Sequence, residues 1–216
     1  MSTAQIRLND RVAAMQPSAT LAMKSRAAEM RRQGHPVVAL SAGEPDFDTP
    51  APIAKAGMQA IQDGFTHYTE NPGMQALREA IAEKLERVSP DQIVCSNGAK
   101  QSIALAVHAL CDEGDEVLIP APYWVSYPEM ARFAGATPQV VHTAVDHDYK
   151  LSPERLDEAL TERTRLFILC SPSNPTGAVY SADELEALAD VLRRYDDVLV
   201  LSDEIYEYVL YGADHV

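Results

Sequence analysis

The stretch DEVLIPAPYWVSYPEMARFAGATPQVVHT, residues 115–143, decides the fold of this chain. DEVLIPA (115–121) is a nearly continuous apolar run, as in a strand that is buried on both faces. Residues 123–135 predict a turn followed by a helix, and TPQVVHT (137–143) predicts a second strand. A strand, a helix and another strand in this order are typical of a parallel sheet that is covered by helices.

The same alternation continues on both sides of this stretch. Further helices are predicted at 18–33, 51–63, 74–87, 99–110 and 152–160, and further strands at 165–171 and 198–202. Residues 35–43 and 92–98 each predict a short strand that runs into a turn. Ser181 and Glu184 form a capping box, so another helix begins there. In the helix over 74–87, Leu77, Ile81 and Leu85 are four residues apart and predict one buried face. The sequence therefore predicts an α/β fold, with a mostly parallel sheet between two layers of helices.

Composition narrows the range of partners. The net charge of −14 opposes binding to nucleic acid or to an anionic membrane, because neither set of phosphates would be neutralised. The plainest interpretation of this charge is a solvated acidic surface that keeps the protein in solution. No apolar run approaches the roughly 20 residues of a membrane helix. The start, MSTAQIRLND, lacks the basic and apolar segments of a secretion signal, so we expect a cytoplasmic protein.

Neither the cysteines nor the histidines are spaced as metal ligands. Cys95, Cys111 and Cys170 are odd in number and lie in apolar runs, which favours small core residues in a reducing compartment over disulfides or a CxxC site. HTAVDH (142–147) is interpreted as a polar exit from a strand. The acidic segment CDEGDE (111–116) is too short for a calcium loop. We therefore expect no metal site.

Ligands of parallel sheets bind at the carboxyl ends of the strands, and four polar segments of this chain lie at such ends. In SNGAKQ (96–101), Gly98 permits a tight turn into a helix whose N-terminus favours an anion. The alternative is an ordinary turn with a solvated Lys100. Trp124, the only tryptophan, follows the strand 115–121 and either stacks on a flat ligand or packs in the core.

The two remaining segments offer an amide and a carboxylate. In SPSNPTG (171–177) the two prolines restrict the backbone, so Asn174 projects its amide from a rigid loop or simply forms a turn. Neighbouring strand residues face opposite sides, so Asp203 and Glu204 cannot both point into one cleft. A buried Asp203 needs a cation such as a protonated ring nitrogen, and Tyr206 could hydrogen-bond a neighbouring oxygen.

Taken together, these segments match one ligand chemistry. An anion site, an aromatic plate, an amide donor and a carboxylate–tyrosine pair are what a phosphorylated pyridinium ring with a ring oxygen requires. Pyridoxal 5′-phosphate (PLP) has these groups, and a carboxylate that keeps its ring nitrogen protonated lets the ring act as an electron sink.

At these residues the sequence resembles the class I/II aminotransferases of PLP fold type I, and within them the bacterial aspartate aminotransferase branch. The matching segments are SAGEPDFDTP (41–50), HYTENPGMQALREAI (67–81), SNGAKQSI (96–103), GDEVLIPAPYWVSYPEM (114–130), SPSNPTG (171–177) and LSDEIYEYVLY (201–211). The resemblance implies a three-layer α/β/α large domain over residues 46–216. It also implies that residues 1–45 form an amino-terminal arm and the start of a small domain.

The resemblance implies a transamination that uses PLP, an amino acid such as aspartate and a 2-oxo acid such as 2-oxoglutarate. A lyase or synthase of the same fold is an alternative, and so is a PLP-binding or dimerisation module without turnover. A PLP-fused transcription regulator is disfavoured, because no basic helix-turn-helix precedes the domain and the charge is acidic.

The resemblance also assigns roles to individual residues. Asp203 pairs with the pyridine nitrogen and, with Tyr206, is a catalytic candidate. The residues implied to hold the cofactor are Gly98, Ala99, Lys100, Trp124, Asn174, Asp203, Tyr206 and Tyr68. Those implied to contact the substrate are Gly43, Trp124 and Asn174. Because Tyr68 reaches the phosphate of the neighbouring subunit in the family, a homodimer is implied.

Two family features have no counterpart among these 216 residues. Family members carry a lysine that forms the Schiff base with PLP, in a motif resembling SxSKxxxMxGWRxG, and an arginine near the C-terminus that binds the substrate carboxylate. None of the five lysines lies in such a motif: Lys24, Lys55, Lys84, Lys100 and Lys150. We therefore expect the chain to be the amino-terminal part of a longer enzyme, with an incomplete sheet, and to be inactive alone. The strands 92–98 and 198–202 would then lack the neighbours that the family places between them.

Overall fold

The structure is a computed structural model that describes residues 7–40, 43 and 47–216. Contacts divide the chain into two compact units. One contains the described residues up to Ser18 together with Gly98–Val216, and the other contains Ala19–Asn97. Packing units need not coincide with functional domains, so the assignment of 1–45 and 46–216 stays a prediction.

The first unit is built on a sheet of four parallel strands. They are β1 (Glu116–Ala121), β2 (Thr137–His142), β3 (Thr164–Cys170) and β4 (Leu199–Asp203), in the order β2-β1-β3-β4. The register sets Cys170 beside Asp203, so the carboxyl ends of β3 and β4 lie level. All four are predicted strands, and the parallel α/β fold is confirmed.

The described part of the chain contains eight α-helices. In the first unit they are α1 (Asp10–Ala14), α5 (Ala99–Leu110), α6 (Tyr127–Ala134), α7 (Pro153–Ala159) and α8 (Ala182–Leu192). In the second unit they are α2 (Ala19–Arg32), α3 (Ala51–Gln62) and α4 (Gln75–Leu85). Short 3₁₀ turns lie at Pro90–Gln92 and Val145–His147.

The core of the first unit lies on both faces of the sheet. Successive side chains of β1 lie on opposite faces of the sheet. Val117 and Ile119 pack with α5 and α6, whereas Leu118 packs with α7 and α8. Leu156 and Leu188, from α7 and α8, are almost fully buried in the second of these clusters. Three layers result, as the near-continuous apolar strands predict.

Two predicted strands are wrong within the described residues. Residues 35–40 and 93–96 are not paired in a sheet, and Val38 and Leu40 are 84% and 91% exposed. Ile93 has an extended backbone, and the Cys95 N–H donates to the Pro72 carbonyl, yet no ladder forms. Composition favours extended backbone, but a strand also needs a neighbour for its hydrogen bonds. Residues 41 and 42 of the first segment lie outside the described residues.

The predicted buried face of α4 is also wrong. Leu77 and Leu85 are 46% and 49% exposed, and Ile81 is half-buried. The buried residue of this helix is Arg78, whose guanidinium donates to the carbonyls of Gly73 and Pro90. The hydrophobic periodicity predicts the helix correctly, but the hydrogen bonds of Arg78 determine which side of the helix is buried.

The cysteine prediction holds in part. All three thiols are free. Cys111 lies in the core, where burial, with the nearby Asp115 carboxylate, raises the pKa of its thiol to about 11. Cys95 and Cys170 are half-buried, the latter at the edge of the core. Over the described ranges, no helix is long and apolar enough to cross a bilayer, and no acidic, histidine or cysteine side chains cluster as metal ligands.

Candidate cofactor site

A cavity of about 300 Å³ lies where β3 and β4 end and α5 begins. Its volume falls at the lower end of the range for small-molecule sites. Seven of the lining residues are predicted cofactor contacts, and they come from four separate segments: Gly98, Ala99, Lys100, Trp124, Asn174, Asp203 and Tyr206. The fold therefore brings together residues that are more than 100 positions apart in the sequence.

The start of α5 forms one side of the cavity. Gly98 precedes the helix with φ +80° and ψ 162°. A Cβ at Gly98 would meet nothing within 4 Å, so the backbone conformation, and not crowding, requires glycine. The N–H groups of a first helical turn have no carbonyl within the helix, and together with the helix dipole they attract an anion. Ala99 and Lys100 belong to this turn and line the cavity.

Trp124 provides an aromatic wall. It lies in the turn between β1 and α6, is half-buried, and packs against the core while also lining the cavity. The Lys100 ammonium lies 5.1 Å from the centre of its ring system. The Tyr127 ring meets it edge-on, with centroids 5.4 Å apart and planes at 84°. Both sequence interpretations of Trp124 thus describe part of its environment, since it packs in the protein and faces the cavity.

Asp203 brings a buried carboxylate to the cavity. It is 7% exposed, whereas Glu204 is exposed, as the alternation of strand residues predicts. The Tyr127 hydroxyl donates to Asp203 Oδ2 at 2.5 Å, and the Ile205 N–H donates to Oδ1 at 3.3 Å. Both donors are neutral, so they solvate the carboxylate without cancelling its charge. A ligand with a positive group would supply the opposite charge that a buried carboxylate requires.

Two neighbouring groups near this carboxylate hold their protons firmly. Burial, together with the hydrogen bond to Asp203, raises the pKa of Tyr127 far above its ordinary value, so its hydroxyl remains a donor. Burial also raises the pKa of the Cys170 thiol, which lines the same cavity. Sequence reasoning missed Tyr127, because nothing in a linear pattern signals its contact with a residue 76 positions away.

Asn174 and Tyr206 form a polar pair at the cavity. The Asn174 side-chain amide donates to the Tyr206 hydroxyl at 3.2 Å. Asn174 lies in a loop that is closed by hydrogen bonds from the Ser173 N–H to the Ala178 carbonyl and from the Gly177 N–H to the Ser173 carbonyl. The pair can offer hydrogen bonds to an oxygen on a flat ligand.

Two of the predicted contacts belong to the second unit. Gly43 and Tyr68 are exposed there, and the Tyr68 side chain is fully accessible. Their roles toward substrate and cofactor stay predictions. The cavity itself, with a helix start that favours an anion, an aromatic wall, a hydrogen-bonding pair and a buried carboxylate, can hold a flat ligand that has a negative end and a positive ring.

Comparison with known proteins finds aminotransferases among the relatives of this chain. The bifunctional aspartate aminotransferase and glutamate/aspartate-prephenate aminotransferase of Petunia hybrida is 54% identical over 212 residues, covering 96% of this chain and 44% of the relative. The aspartate/prephenate aminotransferase of Nitrosomonas europaea is 46% identical, covering 97% of this chain and 54% of the relative.

Solved structures show the same likeness. The aspartate aminotransferase from Thermus thermophilus with maleate superposes with a TM-score of 0.93 at 46% identity, covering 98% of this chain and 56% of that chain. The alanine aminotransferase from Pyrococcus furiosus gives 0.91 at 29% identity, covering 97% of this chain and 55% of that chain. The present chain therefore spans about half the length of the relatives it matches. Residues 35–216 match the family aminotransferase class I and II. This chain belongs to the class I and II aminotransferases.

Proposed function

We propose that the protein containing this chain transfers an amino group from an amino acid to a 2-oxo acid, with PLP bound in the cavity at the ends of β3 and β4. The observation that carries the proposal is the buried Asp203 carboxylate, which is solvated by neutral donors beside an aromatic wall. The relatives named as aspartate and aspartate/prephenate aminotransferases support aspartate as one amino acid. We propose 2-oxoglutarate as the 2-oxo acid that receives its amino group.

The residues present fit this cofactor by the chemistry of their side chains. Asp203 would hold the ring nitrogen, and Trp124 would cover one face of the ring. The start of α5 from Gly98 to Lys100 would hold the phosphate, and Asn174 with Tyr206 would hold the ring oxygen. When bound, PLP supplies an electron sink through its protonated ring nitrogen.

The chain's own residues account for binding and orientation. Asp203 would hold the ring nitrogen, Trp124 would exclude water from one face of the ring, and Asn174 would hold the ring oxygen and lie near the substrate carboxylate. We further propose that the Gly43 N–H binds the same carboxylate and that Tyr68 contacts the phosphate held by a second subunit, in a homodimer. Tyr68 is exposed, as a contact to another subunit requires. The cytoplasmic location expected from the sequence stays a prediction.

The competing proposal is that this chain binds PLP without turnover. Lys100 is the lysine that lines the described cavity, and its ammonium lies against the Trp124 ring. A chain that uses no lysine for covalent attachment would bind PLP reversibly, and borohydride would not fix the cofactor to it. Covalent fixation after borohydride would support an enzyme within these 216 residues.

The proposal can be tested by fluorescence, because Trp124 is the only tryptophan of the chain. We expect PLP to quench its emission in a saturable way. Asp203→Asn should weaken binding by about 30-fold or more, since loss of a buried charge partner costs roughly 2 kcal/mol or more. Glu204→Gln removes the same charge from the next, exposed position and should bind like the native chain. Equal affinities for Asp203→Asn and the native chain would refute the assigned role.

Turnover is tested on the natural protein that contains the chain. We expect it to consume 2-oxoglutarate when aspartate is supplied, and to lose this activity in Asp203→Ala while its thermal unfolding stays cooperative. Near-native rates for Asp203→Ala would contradict the proposed chemistry.

A further inference from the structure

The contact between Tyr127 and Asp203 links two elements of the first unit. Tyr127 begins α6, and Asp203 ends β4. Both are buried, at 2% and 7% exposed, and the hydroxyl lies 2.5 Å from Asp203 Oδ2. Such a short distance is typical of a hydroxyl that donates to an ionised carboxylate, which is among the stronger hydrogen bonds in proteins.

We propose that Tyr127 is a positioning residue, whose hydroxyl holds the Asp203 carboxylate in the orientation that receives the positively charged ring nitrogen of the cofactor. This inference rests on the proposed function. It adds a residue that lines the same cavity and whose role would be exerted through Asp203.

The carboxylate is fixed by one donor on each oxygen. Tyr127 donates to Oδ2 and the Ile205 N–H donates to Oδ1, so the side chain cannot rotate about its terminal bond without losing a hydrogen bond. A mobile carboxylate would have to be ordered when the ligand binds, at a cost in affinity. Ordering it beforehand removes that cost.

The phenol is itself held rigidly. Its ring is part of the core cluster with Ile103, Val107 and Ala131, and its edge contacts Trp124. Because burial raises the pKa of Tyr127, the hydroxyl stays neutral and does not compete with Asp203 for a cation. Phenylalanine would keep the ring and its contact with Trp124 while removing only the donor.

The chain also contains a matched tyrosine–carboxylate pair. The Tyr195 hydroxyl donates to Asp157 Oδ1 at 2.7 Å, and neither residue lines the cavity. Tyr195→Phe therefore removes the same type of hydrogen bond at a site where no effect on the ligand is expected.

A double-mutant cycle tests the proposal. The four chains are the native one, Tyr127→Phe, Asp203→Asn and the double variant, and the probe is 4-deoxypyridoxine 5′-phosphate. This probe has no aldehyde, so its affinity does not depend on any lysine. Binding is followed through Trp124 emission. We expect Tyr127→Phe to weaken binding about tenfold in the native background and to have no effect in the Asp203→Asn background. Tyr195→Phe should bind like the native chain.

Each outcome decides the matter. Equal weakening by Tyr127→Phe in both backgrounds would show that Tyr127 acts through packing, and no weakening in either would show that it does not position Asp203; both results overturn the inference alone. A native chain that does not bind the probe would overturn the proposed function as well.

Thermal unfolding monitors the folding of every variant. If Tyr127→Phe does not fold, Tyr127→His replaces it, because an imidazole N–H keeps a donor at this position. The proposal then requires a folded Tyr127→His chain that binds the probe within about threefold of the native affinity. A folded chain that has lost binding, or a His variant that also fails to fold, overturns it.

Discussion

Arg78 and Asp203 are about equally buried, at 5% and 7% exposed, yet their partners differ. The Arg78 guanidinium donates to the carbonyls of Gly73 and Pro90 and, at 2.6 Å each, to Glu70 Oε2 and Gln75 Oε1. These acceptors satisfy its donors and include a counter-charge. Asp203 is held by a hydroxyl and an N–H, which are neutral. We infer that Arg78 serves the fold and that Asp203 serves a ligand.

Replacing Arg78 by Met tests the first half of this comparison. The variant removes the donors that the half-buried carbonyls of Gly73 and Pro90 use, so we expect the free energy of unfolding to fall by roughly 1–3 kcal/mol. Arg193 provides the control, because its ion pairs with Glu186 and Asp190 are exposed and such pairs contribute little. Urea unfolding of Arg78→Met and Arg193→Met measures both. Equal loss of stability in the two variants would contradict a structural role that is specific to Arg78.

At this scale the sequence predicts those site residues that follow directly from strand ends. Trp124, Asn174 and Asp203 each stand after a predicted strand, and parallel strands deliver their carboxyl ends to one edge of a sheet. Tyr127 could not be predicted, because its contact depends on how α6 packs relative to β4. The burial of Arg78 could not be predicted for a similar reason. The spacing of hydrophobic residues does not show which backbone carbonyls a guanidinium will contact in the fold.

Helix α8 shows how local signals determine an element. The Ser181 hydroxyl accepts from the Glu184 N–H, and Glu184 Oε2 accepts from the Ser181 N–H at 2.7 Å, which completes the predicted capping box. The Lys150 ammonium donates to both Glu184 oxygens at 2.9 and 2.8 Å. Burial opposes ionisation of Glu184, but the hydrogen bonds from Lys150 and Ser181 outweigh it and lower its pKa below the ordinary value of 4.5.

The sign of this shift predicts a pH dependence for Glu184→Gln. A carboxyl whose pKa is lowered by folding stabilises the native state above pH 4.5, and that contribution disappears as the pH falls through the folded value. Because the pair is partly exposed, we expect the variant to lose up to about 1 kcal/mol near pH 7. The difference from the native chain should then close under acid conditions.

Urea unfolding at several pH values measures this difference. Glu158→Gln, at an exposed position on α7, controls for the change in net charge. A gap that stays constant from pH 7 to pH 3 would contradict the role assigned to the Glu184 charge.

Elements with local signals were predictable, whereas elements that need distant partners were not. Ser152 caps α7 at the first residue of the helix predicted over 152–160, and Ser181 caps α8 as its predicted capping box requires. By contrast, the strand predicted at 92–98 has an extended residue, Ile93, without sheet pairing in the described structure. Propensity sets the backbone conformation of one residue, but a strand exists only where another strand supplies hydrogen bonds.

On the scale of the first unit, the sheet ends in a strand whose sequence is typical of a sheet interior. β4 pairs with β3 on one side, and no strand in the described part of the chain pairs with its other side. Leu199 and Val200 are 38% and 49% exposed along it. An exposed apolar edge strand favours intermolecular pairing, while the net charge of −14 opposes it.

These two effects predict an association that depends on salt. Salt screens the repulsion between acidic chains more than it weakens apolar contacts, so we expect species larger than a dimer to increase with ionic strength. Val200→Lys should reduce them by placing a charge on the β4 edge, as natural edge strands do. Val145→Lys makes the same charge change at a 64% exposed valine in a 3₁₀ turn and should associate like the native chain. Light scattering coupled to size exclusion, at low and high salt, gives the masses. If Val200→Lys and Val145→Lys show the same mass distribution, association does not proceed through the β4 edge.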